Sequence, residues 1–108
     1  MAVTVVNGPE LLAEIQRHQK VIVKYYTEWC GSCRLFKPKF VRLSDDERFQ
    51  GIRFLDVDPE KSPQARNVAD IAHYPTFVIF RSGKFSESIA TTKSELVEEL
   101  LLKLARTD

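Results

Sequence analysis

The chain has little of several things that would announce a function. Only two cysteines occur in 108 residues, with two histidines, four glycines and a single tryptophan. Two cysteines are too few for the disulfide framework of a small secreted domain. No apolar run approaches the roughly 18 residues that a membrane-spanning helix needs, so no membrane role is expected. No charged segment leads into a long apolar stretch, so a classical secretory signal is not visible and a cytoplasmic location is the expectation. A mature exported protein whose signal had been removed would look the same. Neither charge sign dominates: 16 Lys and Arg stand against 15 Asp and Glu, for a net charge of +1. That balance leaves no electrostatic footprint for nucleic acid. Repeats, low-complexity stretches and linkers are absent too. What remains is a 44% hydrophobic chain whose length fits one domain, residues 1–108, expected to be a monomer.

The apolar pattern then sets out the elements. Val3–Val6 forms a first short strand, and "NGPELLAEIQRH" a helix with two possible starts, Asn7 as cap with Glu10 three residues on, or Gly8 preceding Pro9 in the first turn. "KVIVKYY", residues 20–26, is a nearly unbroken run of strand formers, as in a strand buried on both faces, and Lys24 interrupts it. From Cys33 to about Glu47 the chain is helix-like, with Leu35, Phe36, Phe40 and Leu43 as its apolar positions and Pro38 predicting a kink. "IRFLDVD", residues 52–58, is a strand, and Ser62-Pro63 opens a short helix with serine as cap. Thr76–Phe80, the turn Ser82-Gly83 and Lys84–Ala90 make a hairpin whose second strand lies at an edge. The last helix carries Leu96, Leu100 and Leu104 on one face and Thr92 with Glu95 as a capping box. Early βαβ units with a late hairpin give an α/β fold: a central mixed β-sheet flanked by helices on both faces.

Both cysteines fall in one pentapeptide, Trp29-Cys30-Gly31-Ser32-Cys33, where the buried strand gives way to a helix. Two intervening residues let the sulfurs meet within the first helical turn, whose unpaired amides and positive end favour a thiolate at Cys30. Gly31 and Ser32 keep that turn small and open, and Trp29 offers an apolar surface beside the sulfur. This arrangement suits thiol–disulfide exchange, with an exposed Cys30 as nucleophile and a more buried Cys33 resolving the mixed disulfide. The spacing alone also permits a structural disulfide. A zinc site is short of ligands, because tetrahedral zinc takes four and His18 and His73 are isolated.

In order and spacing, "VIVKYYTEWCGSC", "FLDVD" and "YPTFVIFRSGK" resemble the thioredoxin family across almost the whole chain. The resemblance implies the thioredoxin fold, with the dithiol at a helix start, and reduction of disulfides in client proteins through Cys30 and Cys33. It implies no bound cofactor. The cofactor-like element is a reversible Cys30–Cys33 disulfide, reduced in turn by an external NADPH-dependent reductase. A cis proline facing the dithiol maps to Pro75, preceded here by Tyr74 rather than isoleucine. Trp29, Tyr74, Pro75 and Thr91 are the implied substrate-binding positions, although a family glycine is missing near Thr91. The family's usual Cys-Gly-Pro-Cys is Cys30-Gly31-Ser32-Cys33 here, which leaves the redox poise open. Gly83 fits the family turn, and Asp58 matches a common acidic position. Asp56 and Asp58 also fit an ordinary solvated strand end.

Lys24 is the main departure. The resemblance implies a buried aspartate six residues before the first cysteine, usual in thioredoxins though lacking in many members outside the general reductases, where it helps move a proton to or from the second thiol. A charged lysine near the pair would favour thiolate, a deeply buried one would fall in pKa and as a neutral amine could accept a proton, and a snorkelling one would reach solvent along its stem. Lys24 and Ser32 therefore point toward an alternative, a specialised redox carrier or oxidant with a narrow client. A second alternative is a non-catalytic binding or regulatory module on the same scaffold, against which both cysteines and Pro75 are retained. The expected partners are client proteins with disulfides and a thioredoxin reductase or similar dithiol donor. The charges around the site, Glu28, Arg34, Lys37 and Lys39, carry a basic excess that would weakly favour acidic partner surfaces and that a solvated helix face explains equally well.

Overall fold

The computed structural model describes residues 3–106. Five strands form one sheet: β1 (Val3–Val5), β2 (Lys20–Tyr25), β3 (Arg53–Val57), β4 (Thr76–Arg81) and β5 (Lys84–Ala90), in the order β1-β3-β2-β4-β5. β1 and β2 run parallel to β3, while β4 is antiparallel to both β2 and β5. Helices α1 (Gly8–Arg17), α2 (Gly31–Ser44) and α3 (Ser94–Ala105) cover it. The chain steps from β1 over to β2 and then back to β3. With right-handed crossovers, that reversal puts α1 and α2 on opposite faces.

Two apolar layers result. On one face Leu11 and Ile15 of α1 pack with Val21, Val23, Tyr25, Leu55, Val57, Val78 and Phe80. On the other, Phe36 and Phe40 of α2 and Val97, Leu100, Leu101 and Leu104 of α3 pack with Ile22, Phe54, Phe77 and Ile79. The two-residue side-chain period of β2 sorts these sets, so Lys24 shares a face with Ile22 and points toward α2. Phe40 rings lie 5.2 Å from Phe54 and 5.6 Å from Phe77, a tilted aromatic cluster directly beneath α2.

The Asn7–Glu10 capping box forms, the first of the two helix starts the sequence allows, each side chain receiving the other residue's backbone N–H. Gly83 turns the β4–β5 hairpin at φ +82° after Ser82 at φ 51°, a left-handed pair that matches the twist of the strands. Other local expectations need correction. Thr92 does not cap α3: the helix begins one residue later, with Lys93 as N-cap and no side-chain cap bond. Instead Thr91 Oγ1 accepts the Lys93 N–H at 3.0 Å. The segment after Ser62 is a 3-10 helix, Pro63–Asn67, and the serine hydroxyl makes no cap bond. Helix α2 starts at Gly31, passes through Pro38 and ends at Ser44, short of Glu47. Its buried residues, Cys33, Phe36, Phe40 and Ser44, follow helical spacing that leaves Leu35 on the outside, 75% exposed.

Glu14 of α1 fastens the helix to the sheet. Arg53 Nε of β3 donates to its Oε1 at 2.6 Å, and Arg17 lies 3.1 Å from its Oε2. The hydrogen bond from Arg53 holds the carboxyl below its ordinary range, with burial opposing. A carboxylate whose pKa is lowered on folding adds stability that is complete above the ordinary carboxylate range and disappears as pH falls through the folded value. Glu14→Gln is therefore expected to cost about 1 kcal/mol at neutral pH. In urea titrations the gap between the two proteins should close toward acid pH, and a gap independent of pH would contradict this account.

Candidate active site

β2 ends at Tyr25, and five residues later Cys30 stands as the N-cap of α2. The first turn of a helix leaves backbone donors free, and here the N–H of Cys33 donates to Cys30 Sγ at 3.2 Å. The Ser32 hydroxyl lies 3.4 Å from the same sulfur. Cys30 and Cys33 are joined as a disulfide with Cα atoms 5.3 Å apart, inside the usual range. Cys30 is 8% exposed against 3% for Cys33. The asymmetry has the expected sign, but the nucleophile is not the exposed residue foreseen. While its sulfur is tied into the helix turn, the exposure at this corner belongs to Trp29, at 68%.

The turn after β3 braces that corner. Asp58 accepts the Glu60 N–H with Oδ1 at 2.9 Å, while its carbonyl accepts the N–H groups of Lys61 and Ser62. The turn so made presents Glu60 to the Trp29 indole, whose Nε1 donates to Oε1 at 3.0 Å, and Lys61 to an ion pair with Glu28. Arg34 of α2 closes the other side by donating to the Glu28 carbonyl at 2.7 Å. Asp58 is thus a buried turn cap, not a solvated strand end. Glu60 and Lys61 are site residues that sequence reasoning missed, since only the fold of the turn brings them to the Trp-Cys segment.

Trp29 also meets Tyr74 edge-on, ring centroids 6.3 Å apart at 85°. The Tyr74–Pro75 peptide is cis, and the Pro75 carbonyl accepts the N–H of Thr91 at 3.3 Å. Trp29, Tyr74, Pro75 and Thr91 are thus linked by consecutive contacts, with Trp29 exposed, Tyr74 and Thr91 half-buried and Pro75 buried. The Thr91 hydroxyl oxygen already accepts the Lys93 N–H, which leaves its O–H as a donor.

Lys24 does not snorkel. It is 2% exposed, and its Nζ lies 3.6 Å from Oδ1 of Asp56 and 5.2 Å from the centroid of the Phe40 ring. Asp56 is 5% exposed, so the solvated-terminus reading fails here as well. The parallel register places the two residues directly opposite each other on β2 and β3. Burial pushes the ammonium below and the carboxyl above their ordinary values, while their mutual attraction resists both shifts. At 3.6 Å the contact is an ion pair rather than a hydrogen bond, and Asp56 Oδ1 receives no hydrogen bond. A cavity of about 430 Å³ lies beside the pair and is also lined by Cys33, Thr27 and Lys37.

Among the described residues no group of three or more His, Cys, Asp and Glu is placed to hold a metal, and no helix is long and apolar enough to cross a membrane. His18 lies 3.6 Å from Glu14.

Comparison with known proteins fits this geometry. The family model described as thioredoxin matches residues 2–103. Thioredoxin-3 of Dictyostelium discoideum is 35% identical over 92 residues, covering 84% of this chain and 86% of its own. The crystal structure of Malassezia sympodialis thioredoxin superposes with a TM-score of 0.87 at 21% identity, covering 97% of this chain and 95% of that one, which speaks for the fold. A chain in the crystal structure of a ferredoxin:thioredoxin reductase and thioredoxin f2 complex reaches a TM-score of 0.85 at 27% identity, over 98% of this chain and 96% of that one. A mixed sheet in this order, with a dithiol capping the helix that leaves its central strand, places the chain in the thioredoxin family, whose fold and Cys30–Cys33 exchange chemistry it shares.

Proposed function

We propose that this protein reduces disulfides in client proteins, acting as a single monomeric domain with Cys30 as nucleophile and Cys33 as resolving thiol. The observation that carries the reading is the pair of donors around Cys30 Sγ, the Cys33 N–H at 3.2 Å and the Ser32 hydroxyl at 3.4 Å. They sit where negative charge collects when the Cys30–Cys33 bond is opened, so they favour Cys30 as the thiolate. That thiolate attacks a client disulfide, forms a mixed disulfide and expels the first client sulfur. Cys33 then attacks Cys30, closes the internal disulfide and releases the second client sulfur, so two electrons pass to the client.

The group of Trp29, Tyr74, Pro75 and Thr91 is where we place the client segment, supported by these consecutive contacts and the exposed Trp29 ring. The return of electrons requires a second dithiol donor. A chain of similar fold has been crystallised in a complex with ferredoxin:thioredoxin reductase, which supports a reductase partner in general, and a thioredoxin reductase or similar dithiol donor is the one proposed here. NADPH as the ultimate donor, and the cytoplasm as the compartment, are proposed on the family resemblance and on the chain's low cysteine count.

Insulin reduction driven by dithiothreitol should be accelerated by the wild type and not by Cys30→Ser; equal rates would sink the mechanism. Cys33→Ser should accumulate a mixed disulfide with the client, visible as an intact adduct by mass spectrometry. Equilibration with glutathione should place the pair near roughly −270 mV, whereas a value near roughly −120 mV would replace the reductase by an oxidant. Ser32→Ala removes one of the two donors at Cys30 Sγ. It should slow alkylation of reduced Cys30 several-fold at neutral pH and move the rise in rate to higher pH. An unchanged pH profile would show that the hydroxyl contributes nothing to the thiolate.

A further inference from the structure

Cys33 is 3% exposed, and in the exchange reading its thiol must lose a proton before it can resolve the mixed disulfide. The groups around it narrow the choice of acceptor. The cavity beside Cys33 is lined by Lys24 and Tyr26 from the β2 side, Glu28 from the loop, Arg34 and Lys37 from α2, and Asp56 from β3. Arg34 and Lys37 are cations, and Asp56 at 3.6 Å opposes the loss of a proton that burial favours at Lys24. Tyr26 is held in its neutral form, chiefly by burial and then by the charge of Asp56. Glu28 is exposed at the rim and paired with Lys61. Asp56 remains, and it has an unused lone pair. Among the described residues Thr27 Oγ1, Asp56 Oδ1 and Arg81 Nε are the buried side-chain polar atoms without a hydrogen-bond partner. The first two line this cavity. A cavity of about 430 Å³ into which these charged and hydroxyl groups face has room for water to bridge groups too far apart for direct contact.

The geometry points to Asp56 as the proton acceptor for Cys33, reached through this cavity, with Lys24 as the positioning residue that keeps the carboxylate charged inside the core. The Cys33 S–H gives its proton through water to Asp56 Oδ1. The Cys33 thiolate then bonds to Cys30 Sγ, and the bond between Cys30 and the client breaks with the electron pair leaving on the client sulfur. The proton held by Asp56 passes back through the cavity to that thiolate or to solvent. No other oxidant or reductant is needed, since the electrons go to the client. Desolvation supports the role: it raises the carboxyl above its ordinary value and makes Asp56 a better base, while Lys24 first and Lys37 second oppose the shift.

This inference rests on the exchange reading, and one stopped-flow experiment separates the two. Reduced protein mixed with 5,5′-dithiobis(2-nitrobenzoate) releases a first aromatic thiolate when Cys30 attacks and a second when Cys33 resolves the adduct. If the wild type gave no first phase, the exchange reading would fail and this proposal with it. In Asp56→Asn the rate of the second phase relative to the first should fall roughly tenfold to a hundredfold. The wild-type second phase should also weaken as pH is lowered through the Asp56 titration, an acid limb that the variant lacks. Because Asp56→Asn leaves a buried lysine unpaired, Lys24→Met with Asp56→Asn is measured beside it. A slow second phase without the acid limb in this neutral pair supports the proposal. Recovery of the second phase to within about twofold of wild type would overturn it, reducing Asp56 to a structural partner of Lys24.

Discussion

β2 is hydrogen-bonded to β3 on one edge and β4 on the other, and it is covered by helices on both faces. A slip of one residue would carry Val21, Val23 and Tyr25 to the α2 side and turn Ile22 and Lys24 toward α1, so the register has no close competitor. Everything at the site is measured from this strand. Its last residue lies five positions before Cys30, the end of its parallel neighbour carries Asp56 with Asp58 just beyond it, and its antiparallel neighbour begins one residue after Pro75. The reacting groups therefore collect at one end of the sheet, where two strands finish and a third starts. The loops that hold them need only be short to be well placed.

The same double burial sets the conditions for the Lys24–Asp56 pair. Two charges in an apolar layer are costly to desolvate, and their attraction compensates only when they lie close. The parallel register supplies that closeness without help from any loop, since residues 24 and 56 are direct neighbours across two strands. Breaking such a pair on one side alone typically costs about 3–5 kcal/mol, whereas replacing both partners by apolar groups is often neutral. A buried pair with one carboxylate oxygen left without a hydrogen bond is therefore a poor device for stability. That the chain keeps it beside a thiol favours a chemical use.

How much of this was legible in the sequence depends on the range of the forces involved. The strand and helix order, the capping box at Asn7, the Ser82-Gly83 turn and the helix-capping dithiol all follow from local periodicity and backbone preference. So does the exposed second strand of the hairpin. Failures came where a boundary moved by one or two residues, as at Thr92, or where helical phase decided exposure, as at Leu35. Larger failures came where the answer lay on another strand. Lys24 sits in a stretch with little polar surface to reach, yet its long stem made solvent a reasonable destination. Only the register between β2 and β3 shows that a carboxylate waits opposite it. For the same reason Asp56 and Asp58 looked solvated: the burial of each is imposed by chain segments distant in sequence.

The two departures from the family pattern then act on different sulfurs. Ser32 puts a hydroxyl 3.4 Å from Cys30, the sulfur that also receives the Cys33 N–H. Lys24 lies across the cavity that Cys33 lines, and it does not act as a lone positive charge. With Asp56 at 3.6 Å the pair is a dipole, whose potential falls faster with distance than that of a single ion. The lysine alone would have lowered both thiol pKa values, but the carboxylate 3.6 Å away opposes that field. The nucleophile is left to its local donors, and the buried pair is left to the resolving thiol. Substitution at residue 32 and substitution at residues 24 and 56 are thereby separable controls, one on the attack of Cys30 and the other on release of the client.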